Sequence, residues 1–415
     1  MSTLAPDGRI EPLVVRSREV GDPGDLIELL PAAADALAWV HGGDGIIGWG
    51  QAASFEPEGP SRFTDADRWW DALVAGAVVR DEIEIPGSGL VAFGTFTFAG
   101  EPGSRLVVPE IIVGRRDGHS WVTTIGRALE TTPALSHTEG VDPLETTFTD
   151  PLDERNEWAQ TVDKAISRIQ HGDLDKVVLA RKVEARFGEP LDIRSPLARL
   201  AKNYPSCWTF HVDGFFGSTP EMLVRLDGGL ITSRVLAGTI RRTGDDDRDL
   251  ALAASLARSS KDLEEHEYAV RSVADALAPH CKAMNVPESP FVLHLPNVMH
   301  LATDVTGVLR DDADALALVA SLHPSAAVGG TPTAEAVGLI AEIENLERGR
   351  YAGPVGWISA SGDGEWGIGL RSAQLDPGGR SAKMFAGCGI VADSDPADEL
   401  AESDAKLIPL REALS

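Results

Sequence analysis

Pairs of apolar, β-branched or aromatic runs joined by Gly/Asp turns constrain this chain more than any other feature. ALAWVHGGDGIIGWGQAASF (36–55) reads as a strand, a Gly/Asp turn and a second strand. RLVVPEIIVGRRDGHSWVTTIG (105–126) repeats the arrangement through Asp117-Gly118, and PVGWISASGDGEWGIGLRSAQL (354–375) repeats it through Gly362-Asp363-Gly364. Turns this short reverse the chain, so the strands they join pair antiparallel. Helical spacing comes in separate blocks: Trp158, Val162, Ala165, Ile166 and Ile169, then about 247–284, the stretch after VGGTP (328–332), and 396–413. VLHLPNVMHLATDVTGVL (292–309) reads as one strand. Without regular βαβ units, the pattern predicts an α+β fold of large antiparallel sheets packed as a sandwich with helices outside. Residues 1–30 carry no period and read as a tail or edge, 31–150 as a β-rich half and 151–415 as a second half mixing helix and strand, within a single compact domain. The polar stretch 131–150 reads as the linker between the halves.

Charge narrows the function classes. The chain carries 37 Lys+Arg against 64 Asp+Glu, a formal net charge of −27. Nucleic acid and anionic membrane surfaces need a basic face, so neither is expected as partner. No apolar run approaches the ~20 residues of a membrane helix, and MSTLAPDGRIEPL lacks the profile of a secretory signal. Cys207, Cys281 and Cys388 are too scattered for a disulfide framework or zinc cluster, and a reduced cytoplasmic protein is expected. An anionic substrate would then need local positive charge against a field of −27.

Several motifs fail on context. Gly43-Asp44-Gly45-Ile46-Ile47-Gly48 matches GxGxxG, but strand-like residues follow it where a phosphate-binding helix is required, so it reads as a hairpin turn. GxxxxGK[ST], GxSxG and HExxH are absent. Asp262 and Glu265 sit three apart on one helical face in SSKDLEEHEYAV, and Glu399 and Glu402 do so in DPADELAESDAKL. Facing one another, the pairs would offer Mg²⁺ hard oxygen ligands; alternatively they are solvated faces of an acidic protein. Lys176 opens an apolar strand, either as an edge gatekeeper or as a desolvated base. Glu221, after Pro220, is a turn residue or an acid at a strand mouth.

KVVLAR (176–181), GSTPEMLV (217–224), LAGT (236–239), SSKDLEEHE (259–267), MHLATDVTG (299–307), LHPSAAVGGTP (322–332), YAGPVGW (351–357), GIGLRSA (367–373) and FAGCGIVADSDPADELAESDAKL (385–407) together resemble the chorismate-utilising enzymes. The resemblance covers about 155–410, implies an anthranilate synthase component I-like fold, and is nearest to the isochorismate synthases. Lys176 matches the water-activating base and Glu221 the general acid; burial should raise one pKa and lower the other. Glu265 and Glu402 match the principal Mg²⁺ ligands, with Asp262 and Glu399 beside them. Arg371 and Tyr351 match the pair holding the enolpyruvyl carboxylate. His300 lies near the reacting ring, Gly238, Thr239 and Gly330 line the substrate loops, Gly387 and Gly389 admit close backbone approach, and Lys406 stands near the metal helix.

The lysine argues against the ammonia-using branches, and with them against a glutaminase subunit; a monomer is expected. Salicylate synthases, which go on to eliminate pyruvate, resemble the chain less at SAAVGG, where Ala327 replaces their threonine. Val235 before LAGT and Cys388 depart from the family's usual proline and alanine. The expected reaction is Mg²⁺-dependent conversion of chorismate to isochorismate, for menaquinone or siderophore synthesis. The alternatives are salicylate synthase and a non-catalytic acidic protein binding a metal or partner.

Overall fold

A computed structural model describes residues 12–415 except 33–34, 129–133, 139, 142–144, 311 and the Lys261 side chain. The tight turns organise it. Gly42-Gly43, Asp117-Gly118, Asp213-Gly214 and Gly228-Gly229 all have positive φ, as the two-residue turns that match strand twist require. Each joins adjacent antiparallel strands: Leu37–His41 to Asp44–Trp49, Ile111–Arg116 to His119–Gly126, Trp208–Val212 to Phe215–Thr219, and Met222–Asp227 to Leu230–Arg241. The GxGxxG match therefore lies on a hairpin, as expected.

The described strands form two sheets, of 13 and 10 strands, in which every pairing is antiparallel except Val14–Glu19 with Val78–Asp81. Alternation along the strands builds two cores. From the larger sheet, Leu37, Trp39, Phe210 and Phe215 join Phe93, Trp357 and Trp366 of the smaller sheet in one apolar cluster. Trp39 also donates its indole N–H across to Glu365 at 2.8 Å. The intervening Ala38, Val40 and Phe216 join a second cluster, which includes Leu197 and Leu200 of the helix Arg194–Asn203 and Leu407 and Leu410 of Pro396–Ala413. Strands covered on both faces explain the unbroken buried run at 37–40.

Three details differ from the sequence reading. Residues 14–19 form a strand paired on both sides, with Val15 fully buried; residues 1–11 lie outside the described residues. Part of the 131–150 stretch also lies outside them, while Thr146–Thr149 pairs at one end of the larger sheet. The stretch 292–309 is two strands, Phe291–His294 and Val298–Leu309, folded back on each other. Among the described residues no helix is long and apolar enough to cross a membrane.

Candidate active site

The strands Lys176–Phe187, Leu230–Arg241, Val298–Leu309 and Ser381–Ile390 carry six of the predicted residues, Lys176, Gly238, Thr239, His300, Gly387 and Gly389, to the neighbourhood of one cavity. Glu221, Gly238, Thr239, Glu265, His300, Tyr351, Arg371, Gly387, Gly389, Glu402 and Lys406 all line it. The helices Ser260–Leu277 and Pro396–Ala413 bring in the acids. Each is started by a side-chain cap, Ser259 accepting from the Asp262 N–H and Asp395 from Ala397 and Asp398. Lys176, 1% exposed, stands behind Glu265, its Nζ 3.0 Å from Oε1.

Glycines create the space. Gly238 has φ +78° at a bulge between Ala237 and Thr239, and a Cβ there would lie 3.0 Å from Asp262 Cβ. A Cβ at Gly387 would crowd the Tyr351 hydroxyl at 2.9 Å. At Gly389 it would overlap Glu265 Oε1 and sit 2.9 Å from Lys176 Cε. These two glycines make room for site side chains. Gly330 is set behind the cavity: it pairs with Val177, and a Cβ would overlap the Lys176 carbonyl oxygen.

Burial and neighbouring charge set the protonation states. Burial pushes the Glu221 carboxyl up to about 7, against the Leu236 N–H and the charges of Arg371, Lys176 and Lys406. His300 is held well below the ordinary imidazole range by burial, then by Arg371 and Lys406, and is neutral. Arg371 Nη2 lies 2.9 Å from His300 Nε2, which must accept because a guanidinium only donates; Nδ1 therefore carries the proton, 3.1 Å from Thr239 Oγ1. Arg371 takes φ 47°, a conformation uncommon outside glycine, at the point where its head enters the site. Burial pushes the Tyr351 phenol up to about 12, and its ring stacks on Phe385 at 5.2 Å. Burial is the largest influence on Lys406 and lowers its pKa, but the opposing contributions led by Glu402, 2.6 Å away, together hold it above the ordinary lysine range.

Glu399, Glu402 and Cys388 place ligand atoms within 4.8 Å of one another. Burial, reinforced by Glu402, holds the Cys388 thiol well above its ordinary pKa, so it stays protonated and donates to the Glu399 carbonyl at 3.2 Å. The anionic donors of this cluster are then the Glu399 and Glu402 carboxylates of one helix, while Glu265 lines the same cavity from the other helix, paired with Lys176. Carboxylate oxygens of this kind fit a hard divalent cation; Asp262 is not among the residues that line the cavity.

Arg348, which also lines the cavity, was not found from sequence. Its only signal is the spacing of four from Glu344 in EIENLERGR. A larger cavity of about 910 Å³ opens beyond Arg348 and Phe385, lined by His211, Asp213 and Lys383, and holds none of the predicted site residues.

Fold and site together gather buried cations and a buried acid at one cavity between large antiparallel sheets. Residues 40–415 match the family described as chorismate binding enzyme, and the chain belongs to that family. It is 36% identical over 265 residues to isochorismate synthase MenF of Bacillus subtilis, covering 63% of this chain and 56% of the relative. It is 38% identical over 268 residues to the salicylate biosynthesis isochorismate synthase of Pseudomonas aeruginosa, covering 63% and 55%. The match thus spans little more than half of either relative's length. The structure of MenF, the menaquinone-specific isochorismate synthase of Escherichia coli, superposes with a TM-score of 0.79 at 25% identity, covering 97% of this chain and 95% of that one. The likeness spans both sheets and bears out the expected fold.

Proposed function

We propose that the protein is an isochorismate synthase, converting chorismate to isochorismate by adding water at C2 and releasing the C4 hydroxyl. Lys176 takes a proton from the attacking water, whose hydroxide bonds to C2. The ring double bonds shift and the C4–O bond breaks. Glu221 gives its proton to the departing oxygen, which leaves as water, and solvent returns the proton from Lys176 to Glu221. Arg371 and Tyr351 hold the enolpyruvyl carboxylate, while His300, neutral and fixed by Thr239, orients the Arg371 fork. Glu265 and Glu402, flanked by Glu399 and Asp262, would hold Mg²⁺. The chemistry of the ion is neutralisation of the ring carboxylate without a proton.

One observation carries the reading: a buried carboxyl pushed up to about 7 in the cavity that Arg371 and Lys406 line. It keeps its proton up to about neutral pH, where an ordinary carboxyl has long lost it, as a general acid requires. The test is incubation with chorismate with and without Mg²⁺, followed by product identification. Isochorismate as main product supports the reading and its absence overturns it. Salicylate with pyruvate would move the chain to the salicylate-forming branch. Turnover unchanged by Lys176→Ala and Glu221→Gln would refute the assigned roles.

A further inference from the structure

The Lys176 strand has a break along one edge. Ser381–Ile390 pairs with it from 177 to 186 on one side. On the other side Gly330–Thr331 pairs only at 176–177 and Thr146–Thr149 only at 184–187. Between these short partners, the N–H and C=O groups of Val178 and Ala180 face away from the long neighbour and need partners from elsewhere.

Side chains supply three of the four. The Val178 N–H donates to the Gly329 carbonyl at 2.9 Å. The Val178 carbonyl accepts from Arg348 Nη2 at 2.6 Å. The Ala180 N–H donates to Glu344 Oε2 at 2.8 Å, and the Ala180 carbonyl accepts from Trp158 Nε1 at 3.0 Å. Glu344 and Arg348 are themselves a two-bond ion pair, Nε to Oε1 at 2.7 Å and Nη2 to Oε2 at 2.6 Å, with side chains 1% and 3% exposed. Arg348 Nη1 also holds the Val328 carbonyl at 3.0 Å, in the loop that leads to Gly330.

We propose that the Glu344–Arg348 pair is a positioning device that replaces a missing strand and fixes Lys176 against Glu265. One donor and one acceptor held in rigid forks reproduce the alternation of a ladder, with the Trp158 indole as the next donor, which a single lysine or hydroxyl cannot do. By gripping Val178 and Val328 together, the guanidinium locks the Lys176 strand to the loop whose Gly330 lies against the Lys176 carbonyl. Arg348 thus acts through Lys176, with its own bonds spent on the protein. The inference deepens the reading of Lys176 as base and rests on that reading for its effect on turnover.

The test uses Arg348→Lys, which keeps the charge and loses the fork, and Glu344→Gln, which keeps the shape and loses the charge. Trace acetylation of the folded chain without substrate, read lysine by lysine by mass spectrometry, reports how enclosed each amine is. In the wild type, Lys176 should label far less than the exposed Lys182. In either variant Lys176 labelling should rise about fivefold or more, while Lys406, half-buried at the cavity and held by Glu402, keeps its wild-type labelling. In turnover, kcat should fall about tenfold or more with KM for chorismate little changed. Unchanged Lys176 labelling in both variants overturns the proposal, and so does an equal rise at Lys176 and Lys406, which marks general loosening. If wild-type protein makes no isochorismate, the function reading fails while the labelling still decides the positioning role.

Discussion

Replacing Glu221 by glutamine should inactivate the protein and stabilise it, by an amount that depends on pH. The side chain is buried, with Leu236 N–H as its backbone donor at 3.4 Å, and burial raises its pKa from 4.5 to about 7. Between those values the folded chain holds a proton that the unfolded chain has lost, so stability falls as pH rises from 4.5 toward 7 and is level above. At about 1.4 kcal/mol per unit, the raised pKa costs about 3 kcal/mol of stability above pH 7. Glutamine keeps the shape and an acceptor oxygen without titrating. Urea unfolding of both proteins at pH 5 and pH 8 measures the effect. Glu221→Gln should gain about 3 kcal/mol relative to wild type at pH 8, and little at pH 5. A gap independent of pH would show that no proton is held there, and the general-acid role would lose its basis. Turnover by Glu221→Gln should fall on the order of a hundredfold or more, and wild-type kcat should decline as pH rises through about 7.

Three further expectations can be checked directly. Gly330→Ala, with φ +138° and a Cβ overlapping the Lys176 carbonyl, should cost about 2 kcal/mol or more in urea unfolding; wild-type stability would refute the close approach. His300→Ala leaves Arg371 without its Nε2 acceptor and should raise KM for chorismate about tenfold, while an unchanged KM would mean that Arg371 is oriented by other contacts. EDTA should abolish turnover and added Mg²⁺ should restore it, and turnover that survives exhaustive chelation would rule out the carboxylate site as essential.

The sequence by itself determined the antiparallel architecture and the chemical groups available. Gly42-Gly43 and Asp117-Gly118 demand positive φ, so their hairpins form wherever the rest of the chain goes. The spacing of three in Asp262/Glu265 and Glu399/Glu402 puts each pair on one face as soon as its helix forms. Tertiary structure alone decided whether those faces were solvated or gathered, because that turns on pairings between distant segments. Thr239 meets His300 as its partner across two paired strands, whereas Lys176 meets Glu265 and His300 meets Arg371 only once more distant segments have packed together. The strand at 14–19 carried no local signal because its partners, 78–81 and 121–126, supply its register. Glu344 and Arg348 stand four apart just past the end of the helix Thr333–Ile343, a spacing that says nothing of a strand; only the gap beside Val178 and Ala180 turns them into a substitute strand. Local rules fix turns, faces and residue types, since they depend on a few neighbouring dihedrals. Burial depends on everything packed around a group, and burial is what raises the Glu221 carboxyl to about 7.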